Sequence, residues 1–107
     1  MSMEFLEPWW STESQDEGFY ATFLNQLQSE IGPGHPMYET PVRLIARGNG
    51  DDCLFKLLDG TERVGVVHLT WSKRHERSRW PGTSMYNSIE EWRTQRMLPE
   101  NKEWQDD

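Results

Sequence analysis

The sequence predicts an α+β fold: a three-stranded antiparallel meander with a long N-terminal helix and a short C-terminal helix, in the order α-β-β-β-α. Three observations carry this prediction. Phe19, Tyr20, Phe23, Leu24, Leu27 and Ile31 recur at three- and four-residue spacing, the stripe of an amphipathic helix. Two strand-like runs rich in Val, Leu and Phe, 52–58 and 62–71, flank Asp59-Gly60, a strong hairpin signal. Finally, 107 residues make one domain of ordinary size.

The elements follow in order. Residues 1–13 interleave Met3, Phe5, Leu6, Trp9 and Trp10 with acids and Pro8. They read as a tail or a packed arm, and the paired Trp favour packing because exposing them is costly. Ser14-Gln15-Asp16-Glu17 is a capping-box pattern opening a helix over 14–31, which Gly32-Pro33-Gly34 ends. Val42–Arg47 reads as a strand, and Gly48-Asn49-Gly50 as a turn.

A two-residue hairpin loop pairs Leu58 with Thr61 and Phe55 with Val64. Cys53, Phe55, Leu57, Val64, Val66, His68 and Thr70 then share one face. Leu54, Lys56, Leu58, Gly65, Val67, Leu69 and Trp71 share the other. Both faces are apolar, so both should be covered: one by the helix, the other by the Trp-rich termini or a second chain. A homodimer is thereby left open. Residues 72–87 read as a long loop. Ser88-Ile89-Glu90-Glu91 is a second capping box starting a helix over 88–97, and Pro99 ends it. Residues 99–107 read as a frayed acidic tail.

Composition narrows the function classes. The net charge of −7 is unevenly spread: residues 1–42 hold seven acids and no Lys or Arg, while 43–80 carry a net +3. An acidic chain repels nucleic acid at long range. The only cysteine, Cys53, permits no internal disulfide and suits a reducing compartment. The first ten residues lack the basic start of a secretory leader, and no apolar run approaches the length of a membrane span. A cytoplasmic protein without membrane contact is the expectation.

Few residues point to chemistry. Cys53 and His68 fall on one predicted face and could form a nucleophile pair, but a strand Cys is more often a small hydrophobe. His35, His68 and His75 have no metal-ligand spacing, and no cofactor motif occurs. The most unusual stretch runs from Trp71 to Pro81. Lys73, Arg74, Arg77 and Arg79 lie between Trp71 and Trp80. Such a stretch can grip phosphates and stack bases, clamp an acidic partner, or simply be a solvated loop answering the acidic helix. The four cations are expected to be exposed, with Trp80 packed back.

The segments Gly34-His35-Pro36-Met37-Tyr38, Asp51-Asp52-Cys53-Leu54-Phe55 and Val67-His68-Leu69-Thr70-Trp71 resemble a group of small bacterial proteins of uncharacterised function. Those share G-H-P-x-Y, D-D-x-L-F and V-H-L-T-W patterns. The resemblance implies a bacterial, cytoplasmic origin and brings no activity with it.

The functional expectation is a non-catalytic protein-interaction module of regulatory, accessory or immunity type. Its candidate binding residues are His68, Trp71, Lys73, Arg74, Arg77, Arg79 and Trp80. The competing expectation is a small hydrolase or ligand-binding domain with a pocket near His68, Thr70 and Trp71, approached by His35 or Tyr38.

Overall fold

The structure, a computed structural model, describes residues 4–71 and 82–106. The predicted three-stranded meander is incorrect. The sheet has five antiparallel strands in sequence order: β1 (Trp10–Ser11), β2 (Val42–Arg47), β3 (Asp52–Leu57), β4 (Val64–His68) and β5 (Thr83–Tyr86). The two added strands are the edges. β1 is a two-residue pairing of the N-terminal arm with β2, and β5 forms within the predicted 72–87 loop. Residues 72–81, with Lys73, Arg74, Arg77, Arg79 and Trp80, lie outside the described residues.

Helix α1 (Glu17–Glu30) starts two residues later than the Ser14 cap predicts. Asp16 caps it instead, its Oδ1 accepting from Phe19 N at 2.9 Å, so an acid sits at the positive end of the helix dipole. At the C-terminus, Ser88 caps α2 (Ile89–Trp92) as its sequence suggests, accepting from Glu91 N. The helix does not stop at Pro99. A π-helical stretch, Arg93–Met97, leads into α3 (Leu98–Asp106). A proline inside an α-helix removes one hydrogen bond and crowds the carbonyl four residues back. The ladder yields in the π stretch just before it. The predicted frayed tail is therefore helical to Asp106.

The hairpin register also differs. Leu57 N donates to Arg63 O, so the connection spans 58–62 rather than two residues. Asp59 holds it, accepting from Thr61 N, Thr61 Oγ1 and Arg63 Nη2, and Gly60 takes a φ of 85°. An odd-length loop shifts the pairing by one residue and moves one strand's side chains to the opposite face. Cys53 faces Val67, and His68 faces Asp52. A bulge between Leu44 and Ala46 makes the same exchange within β2.

Two cores result. Phe23 and Leu27 of α1, its C-cap residue Ile31 and Met37 from the following turn cover Leu44, Cys53, Phe55, Leu57 and Val67 on the first face. Trp9, Trp92 and Met97, from the two ends of the chain, cover Ala46, Leu54, Val64 and Val66 on the second. Among the described residues, no helix is long and apolar enough to cross a membrane.

Candidate functional site

The Cys53–His68 nucleophile pair, the less favoured reading of these residues, does not form. Cys53 is sealed in the first core at 0% exposure, and burial pushes its thiol up to about 11, against the weaker pull of Arg47. A thiol held protonated is neither nucleophile nor metal ligand. The His68 side chain is 58% exposed on the other face. Its Nδ1 lies 2.8 Å from Asp52 Oδ1, and Asp52 Oδ2 lies 3.6 Å from Arg96. Arg96 Nε sits 2.8 Å from Glu100 Oε1, off the hydrogen-bonding direction, and Trp9 Nε1 donates to Glu100 Oε2 at 2.9 Å. Burial alone would lower the Arg96 pKa. A hydrogen bond to Tyr86 and the Glu100 and Asp52 charges outweigh it and raise the pKa. The chain of contacts ties β3, β4 and α3 to the N-terminal arm. His68 stands on its outer end, its side chain 58% exposed.

His35, predicted to approach that pocket, is buried elsewhere. Its Nδ1 accepts from Met37 N, and its Nε2 lies 3.0 Å from Thr83 Oγ1. Thr70 hydrogen-bonds Glu30. Tyr38 lines an open groove of about 470 Å³ between α1 and residues 37–42, together with Leu24 and Ile31. The structure therefore brings none of His35, Tyr38 and Thr70 to His68. Among the described residues, no group of His, Cys, Asp and Glu has metal-binding geometry.

Trp71 is different. It belongs to an unbroken aromatic strip along one flank of α1. The i, i+4 spacing sets Phe19 and Phe23 one above the other on that flank, 4.8 Å apart. Trp10 packs on Phe19 at 6.3 Å. Trp71 meets Phe23 edge to face at 5.4 Å. The β1–β2 register sets Arg47 opposite Trp10, and the Arg47 guanidinium lies over the Phe23 ring at 4.6 Å. Each such ring contact contributes about 0.5–1.5 kcal/mol beyond area burial, and an exposed cation–π contact about 0.5–1. Both end members, Trp10 and Trp71, remain 40% exposed.

Sequence reasoning found Trp71 but missed Trp10, Phe19, Arg47 and Glu30. The α1 periodicity assigns Phe19 and Phe23 to the core, where Phe23 does lie, while Phe19 is only partly buried. Only the strand pairing of the N-terminal arm brings Trp10 and Arg47 to that flank. The chain matches no family model, no curated protein and no solved structure.

Proposed function

We propose that this protein is a non-catalytic interaction module that docks a protein partner on the surface formed by Trp10, Phe19, Arg47 and Trp71, with the buried Phe23 ring beneath them as support. The observation that carries this reading is the pair of half-exposed tryptophans at the two ends of one continuous ring contact, with an arginine over its centre. Large apolar rings left in water oppose solubility unless something covers them, and Trp and Arg dominate interface hot spots. The partner is acidic on its matching face. Arg47 sits within the strip, and Lys73, Arg74, Arg77 and Arg79 follow Trp71 in the sequence. The alternative, a hydrolase or ligand pocket around His68, is the weaker reading: His68 projects into solvent, and Cys53 is sealed away.

The test compares wild type with the Trp10→Ala/Trp71→Ala variant. A partner captured by the wild type should bind the variant at least roughly 30-fold more weakly, the loss expected of one hot-spot residue. The variant's melting temperature should stay within a few degrees. Binding should also weaken with added salt. The same partners bound equally by both proteins would refute the reading. Dissociation of a wild-type dimer in the variant, measured by sedimentation, would make the partner a second copy of the chain.

A further inference from the structure

Glu30 is the residue of α1 that local rules favour least. It closes the helix at the negative end of the dipole, where a carboxylate is unfavourable, and it is 3% exposed. Among the described residues, no cation pairs with it. Four hydrogen-bond donors surround it instead. Gln26 Nε2 donates to Oε2 at 2.7 Å from one turn earlier. Thr70 supplies its amide at 2.8 Å and its hydroxyl at 2.7 Å, both to Oε1. The Trp71 amide donates to Oε2 at 2.9 Å. Donors of this number and geometry are what a buried carboxylate needs in place of water.

Three of the four donors belong to Thr70 and Trp71, where the backbone is unusual. Trp71 has a φ of 59°. A bulky residue is rarely found in the left-handed region, and stays there only where its surroundings over-determine it. Here the carboxylate fixes the backbone and Asp51 fixes the ring, its Oδ1 accepting from Trp71 Nε1 at 3.0 Å. The ring then meets Phe23 in a T-shaped contact.

We infer that Glu30 is the positioning residue of the aromatic strip: its carboxylate latches the Thr70 and Trp71 amides, so that Trp71 is set in its left-handed, half-exposed pose before any partner arrives. The use of this latch in binding rests on the docking role proposed above, whereas the latch itself is a property of the chain alone. A preset tryptophan surrenders little freedom on association; an unset one has to be ordered during it. The arrangement also explains an acid at the end of α1, since from there one carboxylate accepts from both amides.

Glu30→Gln tests the latch. The substitution keeps the volume but turns an amide NH₂ toward donors. The Trp71 indole Nε1–H resonance is identified by its loss in Trp71→Phe. In Glu30→Gln that resonance should move toward the position of a free indole, and its hydrogen exchange should accelerate roughly tenfold or more. The Trp9 and Trp92 indole resonances should stay in place and report an intact second core. A Trp71 resonance unmoved in Glu30→Gln would overturn the latch. Should Glu30→Gln not fold, Glu30→Asp keeps the charge but draws the carboxylate back by one methylene from both amides, and a resonance unmoved in that variant would likewise overturn the latch. In the binding arm, a partner lost by Trp10→Ala/Trp71→Ala should bind Glu30→Gln up to roughly tenfold more weakly. Equal affinity with a displaced resonance would overturn the preorganising role. A displaced resonance with no partner sensitive to the two tryptophans would support the latch and sink the docking reading instead.

Discussion

The two faces of the sheet are covered in different ways. The first face is covered by neighbours in sequence: α1 and the turn after it lie directly before β2, and their apolar residues follow one helical stripe. The second face is covered by the two ends of the chain. Trp9 and Trp92 meet edge to face at 5.1 Å. Leu6 N donates to Met97 Sδ, and Asn101 Nδ2 donates to Glu7 O, across 91 and 94 residues. Local closure is entropically cheap, and joining the ends closes a far longer loop at a cost that grows only slowly with its length. The tryptophans divide accordingly. Trp9 and Trp92 are fully buried and hold the second face shut. Trp10 and Trp71 rim the first face and stay half in water. Adjacent residues, Trp9 and Trp10, thus serve opposite ends because a strand sends successive side chains to opposite sides.

The largest expected effect breaks the second face. Trp92→Ala should cost about 3–5 kcal/mol, a large share of the stability of a domain this size. Its indole N–H has no partner among the described residues, so packing alone carries that loss. Urea denaturation measures it, and limited proteolysis should cut the N-terminal arm in the variant first. An unchanged urea midpoint would mean that the meeting of the chain ends contributes little.

A smaller effect tests the first face. Gly65 lies opposite Phe55 under the turn that carries Met37. A Cβ there would stand 2.2 Å from Met37 Cε and 2.8 Å from Met85 Sδ. Both are ends of flexible side chains and can move aside. Gly65→Ala should therefore cost about 1–3 kcal/mol, less than Trp92→Ala, and calorimetry should still show one cooperative transition. A cost above that of Trp92→Ala would reverse the ranking of the two faces.

The comparison also shows which parts could be read from sequence. α1, β2, the 59–60 turn and the capping role of Ser88 rest on local chemistry, and each was legible. β1 was not, because a two-residue strand exists only by virtue of its pairing with β2. β5 was not, because Thr83-Ser84-Met85-Tyr86 is too short for its alternation to stand out beside Pro81-Gly82. The face assignments failed at one point, the length of the 58–62 connection. The three donors gathered on Asp59 extend that turn beyond its Asp-Gly pair, and each later side chain then changes side relative to β3. For the candidate site, Trp71 was visible as an aromatic beside a basic run. Arg47 and Trp10 were not, since 37 residues separate them and only strand pairing joins them. Glu30 did carry a signal, as an acid in the last turn before Gly32-Pro33-Gly34.

The smallest effect sharpens the first face further through His35. Burial lowers the His35 pKa below its ordinary value of 6.5. Nδ1 accepts from Met37 N, so the proton of the neutral ring sits on Nε2 and is donated to Thr83 Oγ1. The ring thereby joins the 33–41 turn to β5. A proton added at Nδ1 would point at the Met37 amide and break that bond. Because the folded pKa is depressed, the unfolded chain takes up the proton first as pH falls. Stability from this group is therefore full above about pH 6.5 and declines as pH falls toward the folded value. His35→Asn keeps an acceptor for Met37 N but does not titrate. At about pH 7.5 it should be less stable by about 1 kcal/mol, the worth of the lost bond to Thr83. Between about pH 7.5 and 5, the urea midpoint of the wild type should fall more steeply than that of His35→Asn, so the gap narrows with acid. Parallel slopes would show that the wild-type turn accommodates a charged imidazole. The closure of the first face would then not depend on a neutral histidine.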